Sequence, residues 1–399
     1  MQLPRFIQIH TLHTYPAALL NRDDAGLAKR LPLGNAIRTR ISSQCLKRHW
    51  RMTEDPFALS RLDVPMAIRS RSTLELIGSR IRDNGVSASL AQAAAEALRE
   101  GGLLDKGGKD KKGEDALRTG QAVLLGKPEI DYLVSRCTDL ATKSDDEKTL
   151  KTEITKMLKE EKKNIEALKY GSGLESALFG RMVTSDVLAN RDAAVYVAHA
   201  FTVHEAQVES DYFTVVDDLL RESGESGSAG IFDTELASGL YYGYVVVDIP
   251  QLVENLEGIP AEESFASDTS ADRRELAGRV VQHLLHLIAT VSPGAKRGST
   301  APFDWARFVL VEAGDWQPRS LAGAFYDALP LEDRRDPGTI RQRTVARLAN
   351  EIITMDEAYG APLSRRFLAL DPVEVPGAER VNLSVLTEWA KAVVQEGVC

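Results

Sequence analysis

The spacing of hydrophobic and polar positions changes along the chain, and those changes divide it. Phe6 to Leu12 is a short run of β-forming residues bounded by Pro4 and Pro16, which predicts a first strand. Ile37-Arg38-Thr39-Arg40-Ile41 alternates with period two, so Arg38 and Arg40 are expected on one face of another strand. Directly after it, Ser42 or Ser43 can cap a helix by accepting an orphan backbone N–H. In that helix Gln44, Lys47, Arg48 and Arg51 recur at i, i+3, i+4 and i+7. At about 100° per residue they share one face, with Leu46 and Trp50 toward another.

From about 54 to 175 the period becomes helical. An Ala-rich stretch (88–100) and a Lys/Glu-rich stretch (143–169) flank a Gly/Lys tract at 106–113, expected to be a flexible loop. Strand-like alternation returns at 195–203, where Val195, Val197, His199, Phe201 and Val203 share a side. It recurs at 240–247 (Leu240, Tyr242, Tyr244, Val246) and at 307–312. The polar excursion between the first two, 204–237, is centred on 221–230 and predicts a projecting element with a mobile tip. A short helix is expected after Pro250, a strongly amphipathic one over 272–291, and others near 319–329, 339–357 and 380–396. The pattern is α+β, without the βαβ rhythm of a Rossmann sheet.

At 43% hydrophobic and 27% charged, 399 residues suit an ordinary globular protein with a sizeable core. No apolar run nears the roughly 18 residues a membrane helix needs, and the N-terminus lacks a signal pattern, so no membrane partner is expected. Cys45, Cys137 and Cys399 are too scattered for a disulfide framework or a cysteine metal site, and a reducing cytoplasm is the expected compartment. The net charge is −9, but residues 1–51 hold nine Lys/Arg against Asp23 and Asp24, a local +7 that leaves −16 for the rest. Such an opening can gather an anionic ligand in one place. A cationic stripe beside a helix N-terminus, fed by a strand carrying Arg38 and Arg40, suits a row of phosphates, although a solvated basic helix has the same pattern.

Sharper chemical motifs are missing. His283 and His286 sit at i, i+3 among apolar residues without a third ligand, and read as packing histidines. His10 and His13 fall on opposite strand faces. Gly294 to Thr300 has the letters of a phosphate loop but not its spacing, and neither a nucleophile elbow nor HExxH occurs. No catalytic residue, metal or cofactor is therefore expected. Asp23 and Asp24 leave one enzymatic alternative, since paired carboxylates can hold Mg²⁺ beside a phosphate; in a turn they can equally bond backbone N–H groups or neutralise arginines. On the Lys-rich helix, Lys148, Lys151, Lys156, Lys159, Lys162 and Lys163 fall within an arc of roughly 140°. Leu150, Ile154, Met157, Leu158, Ile165 and Leu168 occupy a separate arc, into which Glu161 intrudes.

Five ordered blocks carry a resemblance. They are Asn21-Arg22-Asp23-Asp24 with Arg38 through Arg48; Leu178-Phe179-Gly180-Arg181-Met182-Val183-Thr184; Ala198-His199 through His204; Asp211-Tyr212-Phe213 through Asp218; and Pro293-Gly294-Ala295-Lys296. Spanning about 1–300, they resemble the CasC family, the crRNA-binding backbone of the type I-E CRISPR Cascade complex. The resemblance implies an RRM-like (ferredoxin-like) palm at 1–53, 176–203 and 238–399, the last with C-terminal helices, a helical finger insertion at 54–175 and a β-hairpin thumb at 204–237. It implies a non-catalytic protein whose copies polymerise along crRNA, beside other Cascade subunits, for recognition of invading target DNA. By motif position Asn21, Arg22, Lys29, Ser42, Gln44, Lys47, Arg48 and Arg51 become RNA contacts with Arg38 and Arg40. Met182 becomes a wedge beside a displaced nucleotide, where its residue type alone would equally suit a core gap. The finger lysines Lys148, Lys151, Lys159 and Lys162 become contacts to duplex DNA. Related type III backbones cleave RNA with an early aspartate, which is the alternative for Asp23 and Asp24. The tract at 106–113 departs from the pattern, the tail after 330 carries little of it, and Cys45 and His49 lie off the helix's polar stripe. The stacking aromatics of an RRM are also missing, consistent with a guide carrier that grips backbone rather than bases.

Overall fold

In chain order the strands are β1 (Phe6–Ala18), β2 (Arg30–Leu33), β3 (Ala36–Ile41), β4 (Ala67–Ser70), β5 (Val123–Gly126), β6 (Val195–Val197), β7 (Ala200–Thr202), β8 (Gln207–Val216), β9 (Ser228–Asp248), β10 (Phe308–Gly314), β11 (Ser364–Ala369) and β12 (Ala378–Arg380). Among the described residues the helices are α1 (Ser43–Met52), α2 (Thr73–Asp83), α3 (Ala88–Glu100), α4 (Lys127–Ala141), α5 (Glu147–Glu160), α6 (Leu174–Phe179), α7 (Ile249–Glu257), α8 (Glu275–Thr290), α9 (Arg297–Thr300), α10 (Ile340–Tyr359) and α11 (Leu383–Glu396). This is a mixed α+β chain. The computed structural model describes residues 3–101, 117–119, 122–161, 172–182, 190–216, 228–360 and 363–398. The Gly/Lys tract at 106–113, the tip at 217–227, Lys162, Lys163, Ile165, Leu168, Val183 and Thr184 lie outside the described residues.

The chain forms two units. The first comprises Met1–Leu59, Tyr196–Ile249 and Gly278–Cys399. Its ten-stranded sheet runs β12-β11-β10-β1-β9-β7-β3-β2, with β6 and β8 also on β9, and every pair on that path but β11·β12 is antiparallel. β1 lies at its middle, pairing Ile9 with Val311 of β10 and with Val245 of β9. Both of its faces are covered, so Phe6 to Thr11 are all buried rather than alternating.

Two strand expectations needed correction. β1 does not stop at Pro16. Its register with β9 shifts between Tyr15 and Ala18, so the missing N–H of Pro16 falls in an irregularity, where Ala17 adopts φ +41° and donates its N–H to Ser238 Oγ. The continuous strand expected at 195–203 is instead β6 and β7, broken at Ala198 and His199, and 200–204 are all buried. The helix expected at 319–329 is a single 3-10 turn, Leu321–Phe325.

The β2–β3 hairpin went unforeseen. It turns at Gly34 (φ +58°), and a Cβ there would stand 1.7 Å from the Tyr326 carbonyl oxygen. Beside it Asn35 Oδ1 accepts the Ala328 N–H at 2.8 Å. Residues 325–328 therefore lie directly on this hairpin. Later helices follow local signals. Thr339 and Gln342 form a capping box for α10, Asn382 caps α11, and Gly360 and Gly397 close them in the left-handed conformation. The apolar core includes Leu12, Phe201, Tyr242, Leu310, Phe325 and Ile352.

The unassigned histidines of this unit are packing groups. His10 Nδ1 sits 2.9 Å from the Tyr242 hydroxyl and its Nε2 3.2 Å from Glu312. Burial pushes the Glu312 carboxyl up, but the His10 bond and the charges of Arg319 and Arg365 overcome this and hold it at about 2. His286 stacks on Phe57 at 4.0 Å, and His283 meets the same ring edge-on.

The second unit comprises Ser60–Val195 and Pro250–Ala277, and contains nearly all of the stretch 54–175 that reads as helical. Leu74 and Ile77 of α2, Ala94 and Leu98 of α3, Leu133 and Cys137 of α4, and Leu150 and Ile154 of α5 form its core. The alanines of α3 allow close helix approach, such that a Cβ on Gly78 would touch Ala95 Cβ at 3.4 Å.

Candidate nucleic-acid interface

Helix α1 is built into the first unit by its cap. Ser42 Oγ accepts the Cys45 N–H, and Ser42 N–H donates to Asn21 Oδ1 at 2.9 Å. Asn21 also accepts the Lys29 N–H on its carbonyl, closing the 21–29 loop beside the helix start. Asn21 and Ser42 thus shape the site, and Ser42 is buried. Gln44 and Arg48 are exposed on α1, Lys47 and Arg51 half-buried, and Arg22 exposed on the loop.

Cys45 and His49, off the polar stripe, attach the helix to the body. His49 Nδ1 donates to the Cys45 carbonyl at 2.8 Å, leaving Nε2 to accept the Gly294 N–H at 3.3 Å. Ala295 N–H donates to the Leu19 carbonyl. The segment 293–296 therefore lies against α1 and brings Lys296 and the start of α9, Arg297, with it. Lys296 Nζ reaches Thr234 Oγ1 at 2.6 Å and stands over the Phe213 ring, partway along the β8–β9 ribbon. On the same strand Glu235 accepts the Ala28 N–H and pairs with Arg30.

Titrating groups register how closely the cations gather. Burial pushes the Cys45 thiol up to about 11, opposed by Lys29, Arg48 and Arg297. Burial lowers His49, and Arg297 and Arg48 lower it further. Burial, Arg40 and Lys29 together lower His199. The Arg40 N–H bond to the Lys29 carbonyl and the Gly294 N–H bond to His49 Nε2 hold the segments that carry Lys29, Arg40 and Arg297 near α1 and its Arg48.

Arg38 is a correction. It is fully buried, donating to the carbonyls of Thr202 (3.0 Å), Phe325 (3.1 Å) and Tyr326 (3.3 Å). The strand period put it on the same face as Arg40, but residues 325–326 cover that face at Arg38. Arg40 remains accessible, donating to the Arg30 carbonyl and to His199 Nδ1.

Lys296, Arg297 and His199 carry no local signal that would add them to the site. Lys296 and His199 fall in the Pro-Gly-Ala-Lys and Ala-His blocks, and Arg297 directly follows the first of these, inside the Gly294 to Thr300 stretch whose spacing is not that of a phosphate loop. Asp23 behaves as a turn residue, its Oδ1 accepting the Leu27 N–H at 2.9 Å while Gly26 takes φ +88°. Among the described residues no group of three His, Cys, Asp or Glu could hold a metal ion.

The second unit presents two further sets of expected contacts. Met182 is 94% exposed, so it fills no core gap within this chain. Its neighbour Arg181 is rigidly held, with Nη1 bonding both oxygens of buried Glu129 at 2.8 and 2.6 Å and its backbone bridging reciprocally to Arg191 at 2.9 Å. On α5, Asp146 caps the start and Leu150, Ile154, Met157 and Leu158 are buried, as their arc requires. Lys148, Lys156 and Lys159 are exposed, whereas Lys151 Nζ pairs with Glu96 at 2.5 Å. Together these lysines line an open groove with Glu100 and Glu147. Glu161, the carboxylate in the apolar arc, is tied off by Arg136 and the Tyr132 hydroxyl. Among the described residues no helix is long and apolar enough to cross a membrane.

Comparison with known proteins adds a family. Residues 7–392 match the family described as CT1975-like protein. A solved chain from a "CRISPR RNA-guided surveillance complex, pre-nicking" is 27% identical with a TM-score of 0.76, over 98% of this chain and 100% of that one. A second, from a "CRISPR RNA-guided surveillance complex", is 23% identical with a TM-score of 0.65, over 96% and 99%. At that identity it shows shared fold alone. No curated protein matches.

Proposed function

The chain belongs to the CT1975-like protein family, and from that premise we propose that it is a non-catalytic, crRNA-binding subunit of a CRISPR RNA-guided surveillance complex, of the CasC type found in type I-E Cascade. Copies assemble along the guide and form the backbone of the complex. The observation that carries this reading is the gathering of Lys29, Arg40, Arg48 and Arg297 around α1. Such a group grips phosphates whatever the base, which a carrier of changing guides needs. Target sequence is then read by base pairing, with the protein supplying a charged, shape-selective groove.

The strand order supports an RRM-like palm. In β10-β1-β9-β7, α1 lies between β1 and β7 in sequence and α8 between β9 and β10, a β-α-β-β-α-β series. The β8–β9 ribbon, exposed along residues 207–213, is the thumb, and the second unit holds the finger. In this reading Met182 is the wedge beside a displaced nucleotide, and Lys148 and Lys159 hold duplex DNA. Cleavage by Asp23 and Asp24 is disfavoured, because Asp23 is committed to its own turn.

The test is to purify the protein with its RNA and image it in negative stain. Curved arrays of repeated subunits support the reading, and discrete compact particles without RNA would overturn it. Incubating the assembly with labelled RNA and Mg²⁺ separates the two chemistries, since a carrier leaves the strand intact.

A further inference from the structure

His199 occupies the break between β6 and β7 and is exposed. Its Nδ1 lies 3.0 Å from Arg40 Nη1. A guanidinium only donates, so Nδ1 accepts, and the ring is neutral with its proton on Nε2. Arg40 Nε donates to the Arg30 carbonyl at 3.3 Å. Arg40 Nη2 and His199 Nε2 have no partner among the described residues. The charged groups acting on the ring are Arg40 from β3 and Lys29 from the loop before β2, and both are cations. Two donors thus stand side by side in a positive field, held by a bond that exists only while the imidazole is neutral.

We infer that Arg40 and His199 form a clamp for one phosphodiester of the bound strand, and that closing the clamp takes up a proton. The inference rests on the RNA-binding reading and assigns a residue and a linkage within it. An arriving phosphate reverses the local field and favours the imidazolium. One proton passes from solvent to Nδ1, which then no longer accepts from Arg40. Nη1 is released to join Nη2 in a bidentate contact with the phosphate, and Nε2–H donates to it as well. One hydrogen bond is broken and up to three charge-assisted ones form. In the free protein, burial and the two cations keep the pKa of His199 below its ordinary value of 6.5. The complex therefore binds more protons than the free protein, and affinity must rise as pH falls, by at most about tenfold per pH unit per site.

The test measures anisotropy of a labelled single-stranded RNA of mixed sequence with the full chain, from about pH 8 to about pH 5.5 at constant ionic strength. His199→Gln keeps a side-chain donor but cannot become charged. We expect wild-type affinity to rise by roughly three- to tenfold over that range. The variant should show a flatter slope, so that its deficit against wild type grows toward the acid end. His49 and His204 titrate in both proteins, so the difference between slopes is the readout. Isothermal titration in two buffers of different ionisation enthalpy should show proton uptake reduced in the variant. Equal slopes and equal uptake would overturn the clamp while leaving RNA binding intact. Failure of the wild type to bind RNA at any pH would instead overturn the functional reading on which the clamp rests.

Discussion

Replacing Arg38 with methionine should damage the fold and spare the grip on RNA. Methionine occupies similar volume but leaves the carbonyls of Thr202, Phe325 and Tyr326 without the donors they now have. Hydrogen bonds from a charged donor contribute about 1.5–3 kcal/mol each, and two of the three share one nitrogen, so a loss of about 3–5 kcal/mol is expected. For a unit of this size that corresponds to a melting point lowered by about 6–20 °C. Gly34→Ala should act on the same contact from the other side, because its Cβ would collide with the Tyr326 oxygen. Differential scanning calorimetry gives the stability, and RNA anisotropy well below the transition gives the affinity of the folded protein. An unchanged melting point with affinity lost in Arg38→Met would refute the reasoning and return Arg38 to the RNA surface.

Three further outcomes are expected. Lys29→Ala with Arg48→Ala should weaken RNA of unrelated sequences equally and flatten the salt dependence by about 0.7 per lost contact; a loss confined to one sequence, in a salt titration, would contradict phosphate recognition. Lys148→Ala with Lys156→Ala and Lys159→Ala should reduce salt-sensitive duplex DNA binding by the assembled complex and leave RNA retention near wild type, whereas equal losses would make α5 an assembly element. His13 is held neutral by burial down to about 4 against 6.5 unfolded, so the unfolded chain binds the extra proton first and stability should fall as pH drops from 6.5 toward 4. Urea denaturation should show that decline, at no more than about 1.4 kcal/mol per pH unit from this residue, and His13→Asn should shallow it.

What the sequence determined by itself was local. Ser42, Thr339 and Asn382 cap their helices because a hydroxyl or amide reaches an N–H only two or three residues away, and such contacts need no other part of the chain. The buried arc of α5 and the alanine face of α3 follow from helical period in the same way. The ordered blocks carried a likeness to subunits of CRISPR surveillance complexes, which the match to a solved chain at 27% identity supports, while the CasC type is part of the proposal. Tertiary structure alone decided which charges are available. Strand period could put Arg38 and Arg40 on one face but could not foresee that residues 325–326, 287 and 288 positions away, would cover Arg38. Nor could any window place Arg297 beside α1 or His199 beside Arg40, 159 positions apart. Periodicity reports which way a side chain points within its own element. Whether that direction ends in solvent, in a carbonyl cage or beside another cation depends on segments that meet it only when the sheet closes, and the energies that decide it are those of desolvation and long-range pairing.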